Sequence, residues 1–353
     1  MRARSFALLV SLISIIGCGG DPPPSSVPSI APANPSPSAG RLYVTNEMSG
    51  DLSVIDVATR QVVKTIALGK RPRGIKPSPD GKRLYVALSG SPIAPPGTDE
   101  SKLPPPDRKA DGIGIVDVQQ GKLLNVLPAG TDPEQLAVSQ DGRWLFVANE
   151  DAAQTSVIDA TDGTIRTTIK VGGEPEGVDL RPDGRVVYVT SEQDNQVAVI
   201  DAVRPRLITK FPAGPRPRST GFLPDSSRAY ISAENGSAVV VADAVAHRVI
   251  ETIPLAGEMV RPMGIAPSPD GQYVFVSTGR GKSVVIIDAR SNDVVGAVEV
   301  GERPWGIAVS PDGKTVFTAN GPSNDVSFVD VASRTVIAKV KVGDRPWGVA
   351  FLP

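Results

Sequence analysis

The chain has 353 residues, a formal net charge of −1, one cysteine and one histidine. That balance offers no basic field of the kind that holds nucleic acid. A lone Cys18 and a lone His247 exclude an internal disulfide framework and the His/Cys sets that bind zinc.

Hydrophobic residues make up 40% of the chain but aromatics only 5%, with Gly 35 and Pro 34. This is a composition for many short Val/Ile-rich strands separated by turns.

The first segment reads as an address. Arg2 and Arg4 precede an apolar run from Phe6 to Ile16, too short for an ordinary membrane span and laid out as a secretory signal. It ends Ile15-Ile16-Gly17-Cys18-Gly19, which resembles a bacterial lipobox. The resemblance implies a signal peptide over 1–17, cleavage before Cys18 and lipidation of that cysteine, each buried methylene of the lipid adding about 0.8 kcal/mol of membrane affinity. Residues 18–40 are dominated by Pro, Ser, Ala and Gly. They bury nothing and read as an extended tether. The expected location is the periplasmic side of a membrane or the cell surface.

From Arg41 the chain repeats. An apolar pair followed by Asp recurs at Asp56, Asp117, Asp159, Asp201, Asp243, Asp288 and Asp330, with spacings of 61, 42, 42, 42, 45 and 42. A period near 42 divided into four short strands is the mark of a propeller blade. In the last full unit, strand A is Ile307 to Ser310, strand B Thr315 to Ala319, strand C Val326 to Asp330 and strand D Val336 to Val342. A Pro311-Asp312-Gly313 turn joins A to B. The folded part opens on a B strand, Arg41 to Val44, and closes on an A strand, Val349 to Phe351. The expected fold is therefore an all-β, seven-bladed β-propeller over 41–353. Each blade has four antiparallel strands, and the C-terminal strand closes the ring against the N-terminal ones, which removes free edges. A monomer is expected.

Tyr43-Val44-Thr45-Asn46, with looser copies at Phe146-Val147-Ala148-Asn149, Tyr188-Val189-Thr190-Ser191 and Phe317-Thr318-Ala319-Asn320, resembles the signature of YVTN-family β-propeller repeat proteins. Arg71-Pro72-Arg73-Gly74, Asp132-Pro133-Glu134-Gln135, Glu174-Pro175-Glu176-Gly177 and Ser323-Asn324-Asp325-Val326-Ser327 are similar to phrases of the members associated with quinoprotein (PQQ-dependent) alcohol catabolism. The resemblance implies the propeller fold and an accessory role beside a periplasmic quinoprotein or electron-transfer system. The lipobox and one insertion depart from it. A haem attachment motif is absent from the sequence, and no cofactor or metal is expected.

Strand direction puts the B–C and D–A loops on one face, here the top. One proline per blade opens the D–A region. It is preceded by Arg71, Asp132, Glu174, Arg216, Arg261, Arg303 or Arg345, and followed by Arg73, Glu134, Glu176, Arg218, Met263, Trp305 or Trp347. The B–C loops add Asn46, Glu47, Asn149, Glu150 and Glu192. The expected top face carries a basic arc, an acidic pair of blades and two tryptophans. It is either a surface that captures an envelope protein or charged ligand, or a set of arginine–glutamate pairs between blades. The long first spacing places an insert at 88–111, also on the top face, as a lid or partner contact.

Three further features are read as structural. The repeated Asp after strand C suits turn capping. His247 falls in a C–D turn on the bottom face. Thr278-Gly279-Arg280-Gly281-Lys282 lacks the spacing and following helix of a P-loop. No catalytic set is apparent. The leading expectation is a non-catalytic binding or scaffold module, and the alternative is a lactonase- or lyase-like, metal-assisted enzyme using top-face carboxylates, among them Glu134, Glu150, Glu176 and Glu192 with Ca²⁺.

Overall fold

Seven four-stranded antiparallel sheets make up the structure, a computed structural model that describes residues 40–93, 98–257 and 260–353. The signal segment, Cys18 and the tether up to residue 39 lie outside the described residues. Blade 1 takes its A strand, Pro346–Leu352, from the end of the chain and its B, C and D strands, Arg41–Asn46, Asp51–Asp56 and Gln61–Ala67, from the start. Blades 2 to 7 follow in chain order, their A strands beginning at Pro72, Pro133, Pro175, Pro217, Pro262 and Pro304. The ring closes as the two chain ends require, with Leu42 opposite Phe351 and Tyr43 opposite Ala350.

The core lies between blades. Tyr43, Leu52 and Val54 of blade 1 pack on Ile75, Leu84 and Val86 of blade 2. Tyr188 of blade 4 packs on Phe222 and Ile231 of blade 5. B and C strands are buried on both faces, as in Leu84 to Leu88 and Val239 to Ala242, whereas the D strands are mostly exposed. Burying each such Val, Leu or Ile contributes roughly 1.5–3 kcal/mol.

The repeated motifs have structural work. Each C-strand Asp caps its turn: Asp56 accepts from the Thr59 N–H at 2.8 Å and Asp330 from the Ser333 N–H at 2.7 Å. Thr45 donates to the Arg73 carbonyl of the next blade at 2.7 Å. Ser232 does the same to Met263 at 2.6 Å and Ser277 to Trp305 at 2.7 Å. Where the third position of the signature carries a hydroxyl, at Thr45, Thr190, Ser232 and Ser277, it thus clamps the next blade's innermost strand to its neighbour. Asn46 bridges its own hairpin, donating to Asp51 at 2.6 Å and Ser53 at 2.9 Å, and Asn149 donates to Ser156 at 2.8 Å.

Strand A starts earlier than its hydrophobic run suggests. It begins at the proline, and a register shift follows within the next three residues, as between Pro72 and Ile75 or Pro304 and Ile307. Such a bulge turns the residue after the proline toward the axis. The third residue then faces the neighbouring A strand closely. A Cβ on Gly306 would stand 2.3 Å from the Trp347 carbonyl oxygen, and one on Gly348 2.4 Å from that of Arg73.

Candidate functional site: a charged chamber over the central channel

The bulge decides where the predicted ring goes. Arg73, Glu134, Glu176, Arg218 and Trp347 are all buried; all but Glu134 line the central cavities instead of standing on an exposed rim. Above them lies a chamber of about 600 Å³, and below them a channel of about 380 Å³ walled by the A strands. Glu176, Arg218, Met263, Trp305 and Trp347 line both cavities and form the boundary between them.

One side of the chamber is a network of pairs. Arg71 and Arg73 meet Glu47 at 3.3 and 3.7 Å, and Arg73 also contacts Glu134. Arg216 meets Glu192 at 2.6 Å and Glu234 at 3.4 Å. Arg218 contacts Glu192 and lies 3.5 Å from Glu176 and 3.7 Å from Glu234. Burial works against the charge on Arg218, but Glu176 and Glu192 outweigh it, and the guanidinium is held more firmly protonated than usual.

Asp132, Glu134 and Glu150 bring carboxylate oxygens within 4.8 Å of one another. This gathers Glu134 and Glu150 as the calcium reading requires, but leaves Glu176 and Glu192 with Arg218. Arg71 lies 3.9 Å from Asp132, and Arg73 contacts Glu134. Two guanidiniums therefore already supply countercharge that a cation would bring. Among the described residues, Glu150 has no such partner. Burial, reinforced by Glu176, pushes its carboxyl up to about 7.

The other side differs. Trp305 and Trp347 lie 5.8 Å apart at 30°. Arg73 sits 4.9 Å over Trp347, while Arg218 and Arg303 sit 5.0 and 5.4 Å over Trp305. Arg261 contacts the Asn235 side chain. Arg280, Arg303 and Arg345 line the chamber, and among the described residues none of the three has an ion-pair partner.

The insert crosses the mouth. Thr98, Leu103, Pro104, Pro105 and Pro106 line the chamber. Arg108 reaches Asp111 at 3.2 Å and contacts Asp151 of blade 3, while Lys70 holds Asp107 at 2.8 Å. Arg71 donates to the Ser91 carbonyl at 2.9 Å.

Of the predicted site residues, Glu47, Arg71, Arg73, Glu150, Glu176, Arg216, Arg218, Arg261, Arg303, Trp305, Arg345 and Trp347 line the chamber. Glu134 and Glu192 are buried behind it as partners of Arg73 and Arg218. Asn46 and Asn149 are a correction. Both are fully buried hairpin bridges whose amides donate to the facing C strand. Cys18 lies outside the described residues. Sequence reasoning placed Asp132 in the ring and Arg108 in the insert without singling either out as a site residue; it missed Asp151, and set Arg280 aside with its glycine-rich run. The only signal for Arg280 was its B–C position. His247 lies at the other end of the blades, accepting or donating to the Tyr188 hydroxyl at 2.8 Å.

Two family models match parts of the chain: the cytochrome D1 heme domain over residues 107–229, and the lactonase, 7-bladed beta-propeller, over residues 201–341. Antigen Lp49 of Leptospira interrogans is 29% identical over 138 residues, which are 30% of this chain and 30% of that protein. The uncharacterized protein YncE of Salmonella typhi is 42% identical over 53 residues, 15% of either chain. The chain thus covers less than a third of the length of these curated relatives. Among solved structures, hydrazine synthase of Kuenenia stuttgartiensis superposes with a TM-score of 0.71 at 21% identity, covering 89% of this chain and 99% of that one. A Bacteroides fragilis protein provisionally described as a 6-phosphogluconolactonase gives 0.73 at 21% identity, with 90% and 99% covered. These relatives share an architecture and differ in the work their names describe, and fold alone does not carry function. What the solved structures show, together with the closed ring of seven sheets, is that this chain has the seven-bladed β-propeller fold.

Proposed function

We propose that this propeller is a non-catalytic binding module of the cell envelope, exported and held to a membrane by a lipid on Cys18, with its ligand seated in the top-face chamber. The observation that carries the reading is the roof. An open docking platform gains nothing from a loop across the mouth of its channel. A small-molecule site gains exclusion of water and contacts on several sides. The insert lines the chamber with Leu103 and three prolines and is tied to blade 3 through Arg108 and Asp151. The walls are preorganised by ion pairs formed before any ligand arrives, which lowers the ordering cost of binding. A protein partner would then meet the outer side of the insert.

Native mass spectrometry of the full-length protein, released from its host envelope in detergent, tests this. A low-mass species bound to the wild-type protein and lost in Arg108→Ala is the expected result. A wild-type chain carrying no ligand after incubation with envelope small-molecule extract would remove the reading.

One observation favours a second reading, a lactonase-like enzyme. Glu150 lines the chamber with a carboxyl near 7, where a general base is most effective. Glucono-δ-lactone hydrolysis would then rise as pH passes through about 7 and vanish in Glu150→Gln. No rate above buffer at any pH would dispose of it.

A further inference from the structure

The B–C loops carry one equivalent position in successive blades, identified by a shared backbone bond to the residue before the proline. Glu47 donates its N–H to the Arg345 carbonyl at 2.9 Å, and Glu192 and Glu234 donate to Glu174 and Arg216 at 3.0 Å. Gly279 donates to Arg261 at 2.6 Å and Gly321 to Arg303 at 3.3 Å. Where this position is Glu47, its carboxylate reaches Arg71 of the next blade. Where it is Glu192, it reaches Arg216 of the next blade. Blades 6 and 7 carry glycine there. The arginines those side chains would have met are Arg303 of blade 7 and Arg345 of blade 1, and among the described residues neither has an ion-pair partner.

We propose that this double gap is an anion site, filled by a small ligand bearing two or more carboxylate or phosphate oxygens. Those oxygens supply the charge that Glu47 supplies to Arg71 and Glu192 to Arg216. Arg303 and Arg345 hold them, Arg280 approaches from the exposed rim, and Trp305 and Trp347 form an apolar floor. The inference rests on the chamber reading above and names the ligand's chemistry. Guanidinium forks match carboxylate and phosphate oxygens in pairs. Burial, together with the neighbouring charges of Arg345 and Arg280, pulls Arg303 down, a like-charge repulsion that an anion relieves.

Isothermal titration of the full-length protein with inorganic phosphate and with citrate, at one fixed ionic strength, reads the site. The wild type should bind at least one of them saturably. Arg303→Gln should weaken that binding by about tenfold or more. Gly321→Glu restores the repeat from within and should block it to a similar extent. A Cβ at Gly321 has no neighbour nearer than 3.7 Å, so this variant keeps the fold while filling the gap. Binding of phosphate alone identifies a phosphate-type site, and binding of citrate alone a carboxylate-type one. Absence of saturable binding for both anions overturns the proposal, as does binding that neither variant alters. If the native protein carries a bound species while the anions fail, the chamber reading stands and the anion site falls. If both experiments are empty, both fall.

Discussion

The two sides of the chamber are built from the same repeat and solve its electrostatics differently. Across blades 2 and 5, the arginines flanking each proline find glutamates from neighbouring loops: Arg71 and Arg73 with Glu47, Arg216 and Arg218 with Glu192 and Glu234. Across blades 7 and 1, Arg303 and Arg345 keep the same position before the proline, but the loop positions equivalent to Glu47 and Glu192 are Gly279 and Gly321. Charge that is paired inside a fold behaves as structure, and removing one partner strands the other. Charge left open toward a cavity contributes little to stability and stays available to something that is not part of the chain.

Removing the buried centre of the paired side should therefore have the largest effect. Arg218 and Glu192 have side chains only 7% and 2% exposed, and Arg218→Ala strips buried Glu176 of its contacting arginine and leaves Glu192 with Arg216 alone. Urea unfolding should register a loss of about 3–5 kcal/mol. Arg303→Ala should change stability by no more than about 0.5 kcal/mol. Equal losses at the two positions would erase the distinction between the sides.

How much of this was legible in the sequence follows from the same contrast. The fold was legible because period, turn chemistry and the register of the chain ends all point one way, and Arg41 and Phe351 fall on neighbouring strands as that register requires. The ring of residues after each proline was legible as a ring, because one proline marks it in every blade. Its depth was not. The bulge that carries Arg73 and Trp347 inward depends on how closely adjacent A strands pack at Gly348, a contact between residues far apart in the chain. Asn46 and Asn149 looked like loop residues beside Glu47 and Glu150, yet their amides are consumed by Ser53 and Ser156 seven positions on. The division into paired and open sides depends on which loop meets which across a blade boundary, and a spacing count does not contain that.

Glu150 sharpens the comparison at a smaller scale, as a carboxyl on the paired side that lacks an arginine of its own. Its pKa is raised to about 7 by burial and by Glu176, so ionising it costs more in the folded state than in the unfolded one. The wild-type protein should lose stability from this group as pH rises from about 4.5 to about 7, with no further loss above. Glu150→Gln removes that loss. Its advantage should be absent near pH 4, grow through the same interval and level off at roughly 1–2 kcal/mol once solvent screening is allowed for. Melting curves collected across that range would read it. An advantage that is flat with pH would mean that Glu150 is paired after all, and that the paired side is complete.

The smallest effect belongs to the open side and discriminates most sharply between the two ways of treating charge. Gly321→Glu places a carboxylate where blades 1 and 4 already have one, beside arginines that have no ion-pair partner among the described residues. Arg345 and Arg303 are only partly buried, so a new pair there is worth no more than about 1 kcal/mol, against the several that Arg218 commands. The sign carries the argument. A stability gain in Gly321→Glu, with anion binding diminished in the same variant, means that the open side gives up a little stability to keep its arginines free. A loss of stability would mean that the glycine serves the packing of Trp305 and Pro346 around it, and that the gap in the repeat is steric in origin instead of electrostatic.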